Sequence, residues 1–399
     1  MSDPAEAFVV AATSGRHAQA DSLLAAHPDI ERDAWAGLVL GRGWEGDALE
    51  PGGPRGWRPL LYASHSCFAP AALVRELLER GADPNSYFEN EYGHMSALYG
   101  AAGVVHDPEL TRVLLEAGAN PNDGESLYHA TEAAETDCLR LLLEHGAETR
   151  DTNALAHALD SQRTEPVRLL LEAGADPKDG AVLAHAVRRG CGPEILRLLA
   201  EHGAALDAPG GETWRGDVPL RTPYQHAVLR GRDESAETLA ELGASTEVAD
   251  EDRAVAALTR GEHPGTPLPD ELDVDAQEVL ILAALRGRLE HVIDAMGAGF
   301  GGVVGGSPWG TLLHHAAWVG SPDSVRTLLE RGADPSADDS GTPLAWTVHA
   351  SQYHELPDRD FVAVAELLVD AGAEVEPRFG DAADGPLYDW LRARSGRAA

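Results

Sequence analysis

Leu114-Leu-Glu-Ala-Gly118-Ala-Asn-Pro-Asn122 is the stretch on which the fold of this chain turns. Its leucine pair closes a run, Pro108-Glu-Leu-Thr-Arg-Val-Leu-Leu-Glu-Ala117, whose apolar residues recur at helical spacing. Gly118 then stands where a helix ends most easily, because glycine takes the left-handed C′ conformation without a steric penalty. The Pro and Asn beyond it suit a turn. The same phrase returns at Leu77–Asn85, Leu142–Arg150, Leu170–Lys178, Leu199–Asp207, Leu239–Glu247, Leu328–Ser336 and Leu368–Glu376. A unit used this often predicts an array of short supersecondary blocks, each burying its apolar face against its neighbours.

About 21 residues before most of these glycines lies a second signature. It reads Thr311-Leu-Leu-His-His-Ala-Ala317, Thr222-Pro-Tyr-Gln-His-Ala-Val228, Arg58-Pro-Leu-Leu-Tyr-Ala-Ser64 and Thr342-Pro-Leu-Ala-Trp-Thr-Val348. Thr is a good N-cap, Pro fits a first turn, and Ala lets helices approach closely. Each unit is therefore expected to run helix, short turn, helix, outward loop. On these residues the chain resembles the ankyrin repeat, over roughly residues 5–376, and around Gly93–Asp207 it is similar to bacterial, cytosolic members of that family. The resemblance implies an all-α, right-handed solenoid of about nine to ten helix-turn-helix repeats. In that picture first helices line a concave face and short or irregular fingers project at its rim.

The repeat is uneven. Gly118, Gly146, Gly174 and Gly203 follow one another at only 28 or 29 residues, so the fingers across 118–181 are expected to be trimmed to tight turns. Between Gly203 and Thr222 the connection swells instead, giving a long finger at 204–221. The expected organisation is degenerate capping helices over 1–50, a repeat array over 51–247, an irregular helix and solvated acidic linker over 248–276, a second block over 277–380 and a capping helix over 381–399. Gly299-Phe300 is read as a degenerate copy of the Gly-Ala turn.

Net charge is −35, from 66 acidic against 31 basic residues. Such a chain repels nucleic acid and anionic membrane surfaces, whose binding depends on neutralising phosphates. The acids read either as a solubilising coat on solvent-facing helices or as an attraction for a basic protein partner. The opening Met1-Ser-Asp-Pro-Ala-Glu6 lacks the layout of a signal peptide, and no apolar run is long enough to span a membrane. Three scattered cysteines, Cys67, Cys138 and Cys191, form no disulfide framework. A monomeric, cytoplasmic protein is expected.

Aligning the units puts His129, His157, His185, His226 and His315 at one position, with Tyr62, Gly100, Leu282 and Trp346 there in other units. Helices pack about 8–10 Å apart, too far for consecutive histidines to share a zinc ion held at about 2 Å. The column reads either as imidazoles packed on their neighbours or as a polar contact stripe for a partner. Within the long finger, Trp214, Arg215 and Asp217 are candidate anchors, since Trp and Arg dominate interface energetics. The protein-binding set is thus Tyr62, His129, His157, His185, Trp214, Arg215, Asp217, His226, His315 and Trp346. An inserted loop carrying His354, Asp358 and Asp360 is a weaker metal candidate.

Gly41-Arg-Gly-Trp-Glu-Gly46 and Gly297-Ala-Gly-Phe-Gly-Gly302 match a dinucleotide fingerprint in letters only, since neither follows a strand and opens a helix. No spacing of nucleophile, base or metal ligands stands out, so no cofactor, metal or enzymatic activity is expected. The expected function is a non-catalytic scaffold for another protein. An inhibitor or immunity-type protein that neutralises a basic toxin or enzyme is the alternative. A hydrolase-like site at the inserted loop is the third reading.

Overall fold

Each of the eight Gly-Ala phrases ends a helix as its glycine allows. Gly81, Gly118, Gly146, Gly174, Gly203, Gly243, Gly332 and Gly372 all have φ between +88° and +109°. At Gly118 the Ala119 amide donates to the Leu114 carbonyl at 3.0 Å, and the Gly118 amide to Leu115 at 3.0 Å. This is a Schellman closure, which satisfies carbonyls the last turn would otherwise leave bare. The irregular copy departs from expectation. The positive-φ residue there is Gly297 (φ +85°), two positions ahead of Gly299.

The computed structural model describes residues 3–91, 93–150, 152–178, 181–211, 220–265, 267–268, 272–297, 299–304, 307–338, 340–351, 359–376, 379 and 385–394. It divides into two units, Met1–Ala205 and Leu206–Ala399. The division falls inside the 204–221 connection.

In the first unit α1 (Pro4–Ala12) and α2 (His17–Ala26) form the N-terminal pair, followed by α3 (Ala34–Val39). The pair α4 (Pro59–Ser64) and α5 (Ala71–Glu79) comes next. Strands β1 (Tyr87–Asn90) and β2 (Gly93–Ser96) then make one antiparallel finger, with Tyr87 opposite Ser96 and Asn90 opposite Gly93. Helix α6 (Ala97–Tyr99) runs into a π-type turn at Gly100–Val105 and is paired with α7 (Pro108–Glu116). Three helix pairs with no strand between them follow: α8 (Ser126–His129) with α9 (Asp137–Glu144), α10 (Ala154–Asp160) with α11 (Thr164–Glu172), and α12 (Val182–Arg189) with α13 (Pro193–Glu201). First helices pack on first helices, α8 on α10 and α10 on α12; second helices do likewise, α5 on α7, α7 on α9 and α11 on α13.

The turns are also tied to each other. Asn85 accepts from the Asn120 amide at 2.7 Å and donates to the Gly118 carbonyl at 3.2 Å. Asn122 repeats this with the Glu148 amide at 2.7 Å and the Gly146 carbonyl at 3.2 Å. The asparagine that ends one phrase therefore clamps the glycine turn of the next.

The second unit holds α14 (Pro223–Leu229) with α15 (Asp233–Leu242), then α16 (Asp250–Arg260). Helix α17 (Val274–Ala283) pairs with α18 (Leu289–Met296) across a π-type turn, and β3 (Gly301–Val304) with β4 (Ser307–Thr311) forms a second finger. Pairs α19 (Leu312–Trp318) with α20 (Pro322–Glu330) and α21 (Pro343–Ser351) with α22 (Phe361–Asp370) follow, and α23 (Gly385–Arg394) packs on α22. A single apolar core threads this unit from Leu229 to Leu391. Burying such side chains contributes about 1.5–3 kcal/mol each, the main term holding an array of this kind together. The fold is an all-α repeat solenoid, with two short β fingers among the described residues.

Candidate protein-binding face

The histidine column divides by burial. His129, His157 and His185 keep 26 %, 19 % and 30 % of their side-chain surface exposed. Tyr62, His226, His315 and Trp346 keep between 0 % and 7 %. These four therefore cannot meet a partner as expected, and each has an internal role. The Tyr62 hydroxyl donates to the Gly52 carbonyl at 2.9 Å and accepts from the Arg55 amide at 2.8 Å. Burial pushes its phenol pKa up. Trp346 packs edge-on against His314, His315 and Trp318, at 5.1, 5.7 and 6.0 Å between ring centroids. Trp214, Arg215, Asp217, His354 and Asp358 lie outside the described residues.

Gly100 occupies the column position because its neighbour fills the space. A Cβ there would stand 2.3 Å from Nδ1 of His65. His65 is buried, with Nδ1 bonded to the Leu61 carbonyl at 2.8 Å and Nε2 without a hydrogen bond. Burial pushes its pKa down to about 4. Trp57 stacks on Phe88 at 4.1 Å and carries the Arg55 guanidinium at 4.6 Å from its ring.

The three partly exposed histidines are joined by two carboxylates, Glu132 just past the end of α8 and Asp160 at the end of α10. Glu132 Oε1 takes His129 Nδ1 at 3.0 Å and, from the next helix, His157 Nε2 at 2.8 Å. Asp160 Oδ1 takes His185 Nε2 at 3.0 Å and Arg189 Nε at 2.5 Å. His129 Nε2 also lies 3.4 Å from Glu125, and His157 Nδ1 lies 3.7 Å from Asp160. The row thus alternates acid, imidazole, acid, imidazole across α8, α10 and α12. Tyr128 stacks flat on His157 at 3.8 Å, and Tyr99 meets His129 edge-on at 5.1 Å. Burial, then the nearby carboxylates, raises the pKa of both phenols; Glu125 and Glu132 act on Tyr99, and Asp160, Glu132 and Glu125 on Tyr128. Burial alone would raise Asp160 as well, but Arg189 and His185 outweigh it and hold the carboxyl below the usual range.

The acids of this row were not among the expected residues. Their signal was present as His-x-x-Glu at 129–132 and His-x-x-Asp at 157–160, the i,i+3 spacing that places two side chains on one helix face.

At the same repeat position in the second unit, His226 enters a different setting. Its Nε2 donates to the Gly210 carbonyl at 2.7 Å, and its Nδ1 lies 3.0 Å from Arg230 Nη1. Gly210 and Arg221 pair backbone to backbone and close the base of the long finger. The buried Arg221 guanidinium meets Asp252 at 2.8 and 3.0 Å and Asp273 at 2.6 and 3.2 Å. Asp275, fully buried, lies 3.8 Å from Arg221 and 3.6 Å from Arg230. The stretch read as a solvated acidic linker is therefore corrected at its end. Asp273 caps α17 through the Asp275 and Ala276 amides, and both carboxylates are recruited by guanidinium groups far away in sequence. Burial pushes Asp273 up, but its hydrogen bonds to Arg221 hold it below the usual carboxylate range.

Family models for ankyrin repeats match residues 98–181, as three copies, and residues 310–340. Both stretches are ankyrin repeats. Among solved structures the chain is similar to an ankyrin repeat domain from Acinetobacter baumannii AYE, at 26 % identity and a TM-score of 0.40, over 47 % of this chain and 98 % of that one. No curated protein matches. The first ankyrin match spans α8 and α10 and so contains His129, Glu132, His157 and Asp160. Among the described residues no helix is long and apolar enough to cross a membrane, and no group of three or more His, Cys, Asp or Glu side chains is arranged to hold a metal ion.

Proposed function

We propose that this ankyrin-repeat protein is a non-catalytic scaffold whose partner docks on the face formed by α8, α10 and α12. Ankyrin repeats generally mediate protein–protein interaction. The observation that carries the choice of face is the alternating acid–imidazole row, whose side chains are positioned by one another yet remain open to solvent. Prepositioned polar groups on rigid helices bind with little ordering penalty. Among the described residues no strand lies between these pairs.

The acid excess of the chain favours a basic partner, which keeps an inhibitor of a basic toxin or enzyme as the second reading. The test is parallel affinity capture with the wild-type chain and with His129→Ala/His157→Ala. A partner retained equally by both places the contact elsewhere. A partner recovered only by the wild type supports the face, and its identity separates scaffold from inhibitor.

A further inference from the structure

The acid–imidazole row has a chemical bias that its histidines do not neutralise. A neutral imidazole has one N–H to donate. Glu132 Oε1 receives contacts from both His129 and His157, while Glu132 Oε2 accepts no hydrogen bond among the described residues. Glu125, Glu132 and Asp160 face the row from α8 and its flanks and from α10. Two cations near the row are already engaged: Arg189 of α12 is held by Asp160, and the Arg163 guanidinium donates to the Ala133 and Ala134 carbonyls just past Glu132. At the α8 end, aromatic rings stand beside the acids: Tyr99 and Tyr128 each contact His129. Burial first, and then the field of these carboxylates, makes both phenols hold their protons more tightly.

We propose that the face of α8, α10 and α12 holds an extended, arginine-bearing segment of a partner protein, one guanidinium at Glu125 and Glu132 beside Tyr99 and Tyr128 and the next at Asp160. This deepens the docking face proposed above and rests on it. Arginine fits better than lysine for a physical reason. Its planar fork matches a carboxylate with two parallel hydrogen bonds and stacks on aromatic rings, which an ammonium group does less well. The molecule already uses that pairing internally, with the Arg55 guanidinium over the Trp57 ring.

The spacing follows from geometry. Neighbouring helices lie about 8–10 Å apart, and an extended chain advances about 3.3 Å per residue. Arginines about three residues apart would therefore meet successive helices of the row.

The test uses the full chain and a fluorescent twelve-residue peptide of Gly and Ser with arginine at every third position, titrated at physiological salt. Glu132→Gln/Asp160→Asn removes two charges from the row. Glu116→Gln/Glu172→Gln removes two charges from exposed sites on α7 and α11. Unfolding midpoints of both doubles confirm that they fold. The expected result is about tenfold weaker binding for the first double only, and no binding of a peptide with citrulline in place of arginine.

A difference under threefold between the doubles means that bulk charge alone attracts the peptide and overturns the proposal. Absence of wild-type binding overturns it as well. Either result leaves the docking face standing if the His129→Ala/His157→Ala capture still loses a partner, so the two failures are distinguishable.

Discussion

His129 and His226 occupy the same place in their repeats and do opposite things. His129 sits on a partly open face, its imidazole between Glu125 and Glu132, with 26 % of its side-chain surface exposed. His226 is fully buried, bonded to Gly210 and Arg230 among Arg221 and three aspartates. The difference lies in which chain segment crosses above the helix. Where fingers are trimmed, the imidazole looks outward and pairs sideways with the next helix. Where a long finger returns at Gly210 and Arg221, the same ring becomes part of its footing. Ion pairs open to solvent contribute little to stability, whereas removing one partner from a buried set leaves uncompensated charge.

The sharpest way to break the comparison is Arg221→Met. It leaves Asp252, Asp273 and Asp275 with Arg230 as the remaining nearby guanidinium, and we expect a loss of about 3–5 kcal/mol. Urea unfolding at neutral pH measures it, and a loss below about 1 kcal/mol would show that the cluster is not a structural anchor. The pH dependence has a definite sign here too. Asp273 has a folded pKa below its unfolded value, so the stability it contributes is present above the usual carboxylate range and is lost as pH falls through the folded value.

Second in size is the buried histidine of the first unit. The pKa of His65 falls from 6.5 to about 4 on folding. The unfolded chain therefore takes up a proton that the folded chain refuses, and stability drops as pH falls from 6.5 towards 4. At about 1.4 kcal/mol per pKa unit, the drop is about 3 kcal/mol. His65→Leu should flatten the stability difference between pH 7 and pH 4.5 by most of that amount. An unchanged slope would mean that carboxylates alone set it.

Gly100→Ala comes next. Its Cβ would meet the buried His65 ring, and overpacking of this kind costs about 1–3 kcal/mol, read as a lowered thermal midpoint. A raised midpoint would mean that the ring moves aside freely.

Smallest is Glu132→Gln, expected to change stability by less than about 1 kcal/mol because the row is open to solvent. A loss near that of Arg221→Met would erase the distinction between the two regions.

Much of the architecture was legible because a Gly-Ala turn needs a residue that tolerates positive φ, and that requirement is visible in letters. The copy at Gly297 was placed two residues late because Gly297-Ala-Gly299-Phe offers two glycines and only the backbone shows which one is left-handed. The histidine column was legible from its spacing. Its division into open and sealed members was not, since that depends on how the preceding connection meets the helix, as Gly210 meets His226. Asp273 and Asp275 read as solvated because charge beside proline usually is; nothing local announces that Arg221 will reach them. The carboxylates of the row were readable at i,i+3 from each histidine, but the cross-helix bonds through Glu132 and Asp160 needed the packing to be seen.

The asparagine clamps have a consequence for how the molecule comes apart. Asn85 and Asn122 both donate and accept, so each ties its own turn to the following one, and loosening either repeat exposes the bonds of its neighbour. The corresponding positions in the next two phrases are Arg150 and Lys178, whose side chains carry no acceptor and cannot close the same two-way tie. In a linear array, cooperativity is transmitted by such nearest-neighbour ties. Unravelling that spreads through the repeats around Asn85 and Asn122 meets a weaker link beyond Arg150, a natural firebreak in the middle of the first unit.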